Sequence, residues 1–318
     1  MLFSPTALHI PDGFLSVLLS IVLWVISMTI VAYALRRVGK DLGERQVPLM
    51  GLLAAGIFAG QMLNFTVIGG TSGHLMGAAI ATILMGPWAA ILIMTSVVSI
   101  QALVFQDGGL LVLGANIFNM AIVGVTVAYM AYRTVILIAG KKKTGVLIAG
   151  FMAAWLSIEI AALSVAIQLA ISNTSPANLA IPAMAGVHAL IGIGEGLITV
   201  GALAFLLSAR PDLLQQSEAP QVGSKMVWLV GLLVAVSLVI ASPLASTNPD
   251  GLEWVAMQNG FLVSAQEPMY RIIPDYLYPG ISNEALATIV AGILGIVIVF
   301  GVSIGVAYTR RNRQTSDG

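Results

Sequence analysis

Long apolar runs, each closed by a polar or charged cluster, divide the chain into segments of membrane-crossing length. Runs at about 14–35, 48–68, 110–138, 146–171, 182–207, 226–243 and 285–308 are each long enough to span the hydrocarbon core as a helix. The stretch 74–106 is too long for one pass and carries Gly86-Pro87 inside it. Proline removes a backbone donor and clashes with the preceding turn, so this stretch is read as two helices, 74–86 and 88–106. The pattern predicts an all-α integral membrane protein with about nine transmembrane helices.

Charge supports that count. With the N-terminus outside and the spans alternating, the inner loops hold Arg36, Arg37, Lys40 and Arg45, then Arg133, Lys141, Lys142 and Lys143, then Arg210 and Lys225, and finally Arg310, Arg311 and Arg313. Of the 14 basic residues only Arg271 falls on the outer side. Basic residues concentrate on cytoplasmic loops, and merging 74–106 into one span would scatter them. The expected protein is therefore a multi-pass protein of the cell's inner (plasma) membrane, with its N-terminus outside and its C-terminus in the cytoplasm. Residues 208–225 are polar and contain two prolines. They read as a cytoplasmic linker between a seven-span core, 8–207, and a two-span unit, 226–318, whose outer loop covers about 244–284.

Composition narrows the chemistry. The chain is 58% hydrophobic and 9% charged, against about 25% charged in ordinary soluble domains, so the lipid bilayer is its solvent. The formal net charge is zero, which gives no sign of a nucleic-acid partner. Without cysteine there is no disulfide, thiolate ligand or thiol nucleophile. No G-x-x-x-x-G-K-[ST] loop and no H-E-x-x-H helix occurs, so neither nucleotide hydrolysis nor metalloprotease chemistry is expected of this chain. The first seven residues, MLFSPTA, lack the basic and apolar regions of a signal peptide.

Candidate chemistry gathers on one face. His9, His74 and His188 all fall on the outer half of the core, together with Asp107 in the turn QDGG. Neutral imidazole is the commonest ligand of the later first-row metals, although a histidine at a membrane interface is more often simply a polar residue. Inside the spans lie Gln61, Asn64, Gln101, Asn116, Asn119, Glu159 and Glu195. Ionisable groups in lipid face the bundle interior, so the two glutamates are candidates for orienting a ligand or fixing helix packing. The asparagines suit interhelical hydrogen bonds equally well.

HIPDGFLS at 9–16, GGTSGHLMGA at 69–78 and GVHALIGIGEGLIT at 186–199 resemble the cobalt/nickel-binding membrane subunits of energy-coupling-factor transporters, the CbiM/NikM family. PDGLEW at 249–254 resembles the small two-span subunit that accompanies them, here fused to the same chain. The resemblance implies a transport component that binds Co2+ or Ni2+ as substrate at its outer face. Its implied partners are a scaffold membrane subunit and ATPase subunits that supply the energy. It implies metal ligands from the amine and amide of Leu8-His9, the ring of His9 and the ring of His74. From their places in the chain, Gln61, Asn64, Asn116, Asn119 and His188 are candidates for a supporting shell. The family's chains start Met-His, whereas His9 here is preceded by further residues. The chelate is therefore expected only in a polypeptide that starts at residue 8. The alternative function is a self-contained, ion-coupled metal transporter in which Glu159 and Glu195 relay protons. In the fused unit the outer loop offers only carboxylates, from Asp250, Glu253, Glu267, Asp275 and Glu284. That unit is expected to support loading or transport without supplying primary ligands.

Overall fold

The structure, a computed structural model, describes residues 9–41, 46–209 and 224–315. The chain opens with α1 (Val17–Asp41) and α2 (Gln46–Gln61), then a hairpin of β1 (Phe65–Val67) and β2 (Thr71–Gly73). Helix α3 (Ala78–Ile100) runs into a π-helical turn at Gln101–Phe105. Helix α4 (Leu113–Asn116) passes through a second π-helical turn, Ile117–Val123, into α5 (Gly124–Ala139). Then come α6 (Lys143–Ile171), α7 (Ala177–Ala209), α8 (Ser224–Ala241), the short α9 (Gly251–Gln258) and α10 (Glu284–Thr315). Helices are what an apolar sequence must form in lipid, where no water satisfies a bare N–H or C=O. Six helical stretches among the described residues are long and apolar enough to cross a membrane, and Gln46–Gln61 and Trp228–Leu244 are shorter apolar helices. Leu18, Leu137 and Ile138 are 75%, 84% and 83% exposed, which suits side chains that meet acyl chains rather than water.

The expected division of 74–106 has a structural counterpart. Gly86 leaves the helical region, at φ 75° and ψ 169°, immediately before Pro87. On the N-terminal side of α3 the His74 ring lies 5.7 Å from that of His9, and beyond its C-terminal end Asp107 bonds the same His9. A straight helix over 78–105 would hold its ends about 40 Å apart, so the chain doubles back. Gly86 is the residue inside α3 with non-helical dihedrals, and the reversal is placed there. Trp88 accordingly meets Tyr33 toward the far end of α1, and Phe105 has returned beside Phe58 near the end of α2. The first arm starts at Ala78 rather than residue 74, because 74–77 are non-helical and lead into the candidate site.

Two other elements differ from the sequence pattern. The run 48–68 ends its helix at Gln61, because the apolar residues that follow belong to a hairpin pairing Phe65 with Gly73 and Val67 with Thr71. Gly69 and Gly70 turn it with φ of 95° and 81°, dihedrals open mainly to glycine. The loop expected at 244–284 contains α9. Asp250 caps that helix, accepting the Glu253 N–H at 2.7 Å, in the D-x-x-E pattern of a helix start.

Helix α6 packs between α5 and α7, while α8 and α10 both lie along α2. Small residues allow the close approach: Gly192 and Gly196 of α7 face Trp155 and Phe151 of α6, and Gly295 of α10 faces Phe58 of α2. A Cβ at any of the three would approach a ring carbon within 3.0 Å. Arg36 and Arg37 end α1, Arg133 is near the end of α5 and Lys141–Lys143 lead into α6, all at the end of the bundle away from His9. The side chains of Lys40, Arg45, Arg210, Lys225, Arg310, Arg311 and Arg313, and most of the expected linker 208–225, lie outside the described residues.

Candidate metal centre

The segment after residue 8 is fixed by side chains from the turn and helix it crosses. Asn116 acts as a two-way clamp: its Oδ1 accepts the Ile10 N–H and its Nδ2 donates to the Ile10 carbonyl, each at 3.1 Å. Ile10 also accepts from Gly109 N–H at 2.9 Å. Asp12 takes the N–H groups of Leu110 and Val112 on its two carboxylate oxygens, each at 3.1 Å, where the chain enters α4. Gly13 turns the chain at φ 93°, and a Cβ there would sit 2.0 Å from the Ser264 carbonyl oxygen. Ile10, Asp12 and Gly13 of HIPDG thus each have a local reason, and together they hold His9 against the Asp107 turn.

His9 is buried, and both nitrogens on its backbone-facing edge point at Asp107. Its amide N–H donates to Oδ1 at 3.3 Å, and Nδ1 lies 3.1 Å from the same oxygen and 3.2 Å from the Asp107 carbonyl. Burial alone would lower the imidazole pKa, but the Asp107 carboxylate overrides it and the net shift is upward. Burial likewise works to raise the Asp107 carboxyl, while His9 and the Tyr276 hydroxyl, donating at 2.6 Å, bring it below its ordinary value. Burial and the Asp107 charge push Tyr276 well above the usual range for a phenol, so it stays a donor. His9 Nε2 is buried without a protein partner.

His74 and His188 face the same cavity, of about 90 Å³, which is also lined by Met76, Met120, Met184, Asn116, Asn119 and Asp250. All three histidines place Nδ1 beside a backbone carbonyl: Asp107 for His9, Leu75 for His74 at 3.2 Å, and Met184 for His188 at 2.8 Å. A carbonyl only accepts, so a neutral ring in each of these places carries its proton on Nδ1 and its lone pair on Nε2. Among the described residues, no three His, Asp or Glu groups close on one point from which they could hold an ion. Leu8, the expected source of an amine ligand, lies outside the described residues.

The loop that carries His74 is held from behind. Glu195, fully buried in α7, accepts the Met76 N–H at 2.7 Å on one oxygen and the Gly77 N–H at 3.0 Å on the other. Gln61 adds its Nε2–H to the Met76 carbonyl at 2.9 Å. Glutamine at 195 could accept only one of the two N–H groups and would turn a donor toward the second. An unmade buried hydrogen bond costs about 1–3 kcal/mol, so Glu195→Gln should lower the thermal midpoint and weaken metal binding about tenfold or more. Calorimetry beside a thermal melt measures both, and unchanged affinity would dissociate Glu195 from the position of His74.

The supporting residues named from sequence divide. Asn116 acts on the His9 segment, Gln61 on the His74 loop, and His188 lines the cavity. Asn119 is on the wall, but its amide is taken up by Gln168 and Ser164: Oδ1 accepts from both at 2.7 Å and Nδ2 donates to Gln168 at 3.0 Å. Asn64 does not line the cavity; its carbonyl accepts the Ser246 N–H at 2.8 Å. Glu159 is half-buried on α6 and outside the cavity lining.

The C-terminal unit reaches the site with Asp250, Gly251 and Leu252 on the cavity wall and Tyr276 on Asp107; two of these residues bear on its electrostatics. Tyr276 is one. Asp250 is the other, placed on the cavity wall by hydrogen bonds from Ser72 to Pro249 and Asn248. Burial, with the nearby Glu253 and Asp107 charges, brings the Asp250 carboxyl up to about 7 despite the Glu253 N–H bond and His9. Gly251 packs on His188, where a Cβ would come within 2.9 Å of the ring. The D-x-x-E pattern at 250–253 signals a helix start, but nothing in the sequence near Tyr276 signals Asp107.

The chain is similar to known proteins along both of its parts. The sequence model of the family described as "Cobalt uptake substrate-specific transmembrane region" matches residues 9–213, and that of the PDGLE domain matches 224–312. A protein of Archaeoglobus fulgidus, assigned by name only as a fused nickel transport protein NikMN, is 38% identical over 310 residues, covering 96% of this chain and 99% of its own. The fused nickel transport protein NikMN of Rhodobacter capsulatus is 30% identical over 96% of this chain and 99% of its own. A crystal structure described as a transition metal transporter is 34% identical, with a TM-score of 0.57 over 66% of this chain and 98% of the other.

Proposed function

The chain belongs to the CbiM family of cobalt-uptake transmembrane proteins and is a membrane component of cobalt or nickel transport, not an enzyme; from that premise we propose that it is the substrate-binding subunit of an energy-coupling-factor importer, capturing Co2+ or Ni2+ at the outer face. The observation that carries this reading is the pair of rings His9 and His74, 5.7 Å apart at 76°, beside the segment that leads directly from Leu8. With a free amine on Leu8, that amine, the deprotonated amide nitrogen of His9 and its Nδ1 can close fused chelate rings on one metal. His74 supplies the fourth nitrogen. A planar nitrogen field suits Ni(II) or Cu(II) and accommodates Co(II), whereas Zn(II) prefers a tetrahedron.

Asp107 supports the mechanism by its place on the chelating edge. Its Oδ1 accepts from both the His9 amide and Nδ1, so the amide proton that the metal displaces already faces a carboxylate, and the ring stays neutral by carrying its proton on Nε2 when Nδ1 binds the metal. Loading then requires the His9 edge to exchange Asp107 for the metal. The face that carries His9 is outward in this reading, because the described basic residues except Arg271 lie at the opposite end and basic loops favour the cytoplasm. Energy comes from partner ATPases through a scaffold membrane subunit. An ion-coupled transporter using Glu195 as a proton relay is less well supported, since both Glu195 oxygens are engaged by backbone N–H groups.

The test is uptake in proteoliposomes. Co2+ or Ni2+ should accumulate only when the scaffold and ATPase subunits are present and ATP is supplied. Accumulation by this chain alone, driven by an ion gradient, would overturn the proposal.

A further inference from the structure

The segment 270–276 of the C-terminal unit is stitched along the turn that carries Asp107. Tyr270 donates its hydroxyl to the Leu103 carbonyl at 2.8 Å, and the Ile273 N–H bonds the Val104 carbonyl at 3.1 Å. The Ile272 N–H bonds Gln106 Oε1 at 3.1 Å. At the end of this seam the Tyr276 ring stacks on Phe105, with centroids 4.8 Å apart at 13°, and contacts Phe58 at 6.0 Å. The ring is therefore fixed by packing, and its hydroxyl donates to Asp107 Oδ2 at 2.6 Å, with the Gln101 side chain also interacting with it.

We propose that Tyr276 is a positioning residue for the metal centre, holding Asp107 so that its other oxygen orients the chelating edge of His9. The inference rests on the reading of His9 and His74 as metal ligands. A carboxylate has two oxygens and rotates about one bond. With Oδ2 engaged by Tyr276, Oδ1 faces the His9 amide and Nδ1. Without the hydroxyl, Oδ2 has lost a strong donor and the carboxylate can turn. His9 then loses the partner that fixes its ring and its ring proton. Loading moves Oδ1 off these two nitrogens but leaves the carboxylate beside the metal, held through Oδ2, so Tyr276 acts on both the empty and the filled site; outer partners of a metal centre contribute about ten- to hundredfold in affinity. The relay also assigns a role to the fused unit: it bears on the metal through a hydrogen bond to a residue that contacts a ligand, without supplying a ligand itself.

Tyr276→Phe is the discriminating variant because it keeps the stacked ring and removes only the oxygen. Ni(II) titration by calorimetry and the visible absorption of the loaded protein are measured on the chain that begins at residue 8, on its Tyr276→Phe, Asp107→Asn and double variants, with His74→Ala alongside. The expected result is an affinity about tenfold or more below the parent for Tyr276→Phe, with a displaced ligand-field band. In the Asp107→Asn background Tyr276→Phe should add nothing, because residues acting through one contact are not additive. An affinity within about twofold of the parent with an unmoved band, or a loss that adds in full to that of Asp107→Asn, overturns the relay. If Asp107→Asn does not fold, the Tyr276→Phe band decides alone, a moved band supporting the relay and an unmoved one overturning it. Loss of binding in His74→Ala with an unaffected Tyr276→Phe overturns the relay and leaves the metal centre standing, whereas retained binding in His74→Ala overturns both.

Discussion

Replacing His74 by alanine should abolish high-affinity binding of Ni(II) or Co(II) while the protein still inserts and folds. His74 sits beside His9 on a loop whose backbone is held by Glu195 and Gln61, so the loop does not depend on the imidazole for its course. The ring is only half-buried, and its truncation leaves no large void in the packed core. Removing a ligand should cost more than removing an outer partner, which is worth about ten- to hundredfold. A loss on the order of a thousandfold or more is expected. Calorimetry in detergent, with a thermal melt to confirm the fold, makes the comparison; affinity unchanged from the parent would remove His74 from the site.

Blocking the amine of Leu8 should have an effect of similar size. A peptide nitrogen that carries an upstream acyl group cannot serve as the terminal ligand of the chelate. Ser4 and Thr6, the hydroxyls of the preceding residues, are poor substitutes for an amine on these metals. A chain that starts at residue 8 should therefore bind Ni(II) on the order of a thousandfold more tightly than one that retains residues 1–7, a larger difference than outer partners make. N-terminal mass spectrometry of the natively expressed protein shows which form the cell uses. Equal affinities in the two forms would sink the amine chelate and move the search to His9 Nε2, His74 and His188.

Much of the helical architecture is legible because lipid allows few solutions. An apolar run of sufficient length has to become a helix, and Gly86-Pro87 announces the reversal in α3. The hairpin at 65–73 is hidden for a physical reason: FTVI continues the apolar run of α2, and a short apolar segment carries no periodicity that separates strand from helix. Its Gly69-Gly70 turn was the available sign.

The site was legible in part. His9, His74 and His188 come together on one cavity, as motifs at the same end of their segments imply. The contacts that orient them are pairs far apart in sequence: Asp107 with His9, Tyr276 with Asp107, and Glu195 with Met76 and Gly77. No local pattern encodes such pairings, since each depends on how separate helices pack. Asn119 illustrates the converse. A polar residue inside a span suits either support for the metal or an interhelical hydrogen bond, and Gln168 and Ser164 occupy its amide, because in a membrane interior a polar group is held by whichever polar neighbour the packing supplies.

X-ray absorption at the nickel edge, on the Ni(II)-loaded protein that begins at residue 8, tests the central claim most directly. The account predicts a four-coordinate planar centre with nitrogen donors only, lost when His74 is replaced by alanine. A six-coordinate, oxygen-rich centre that survives that replacement would contradict it.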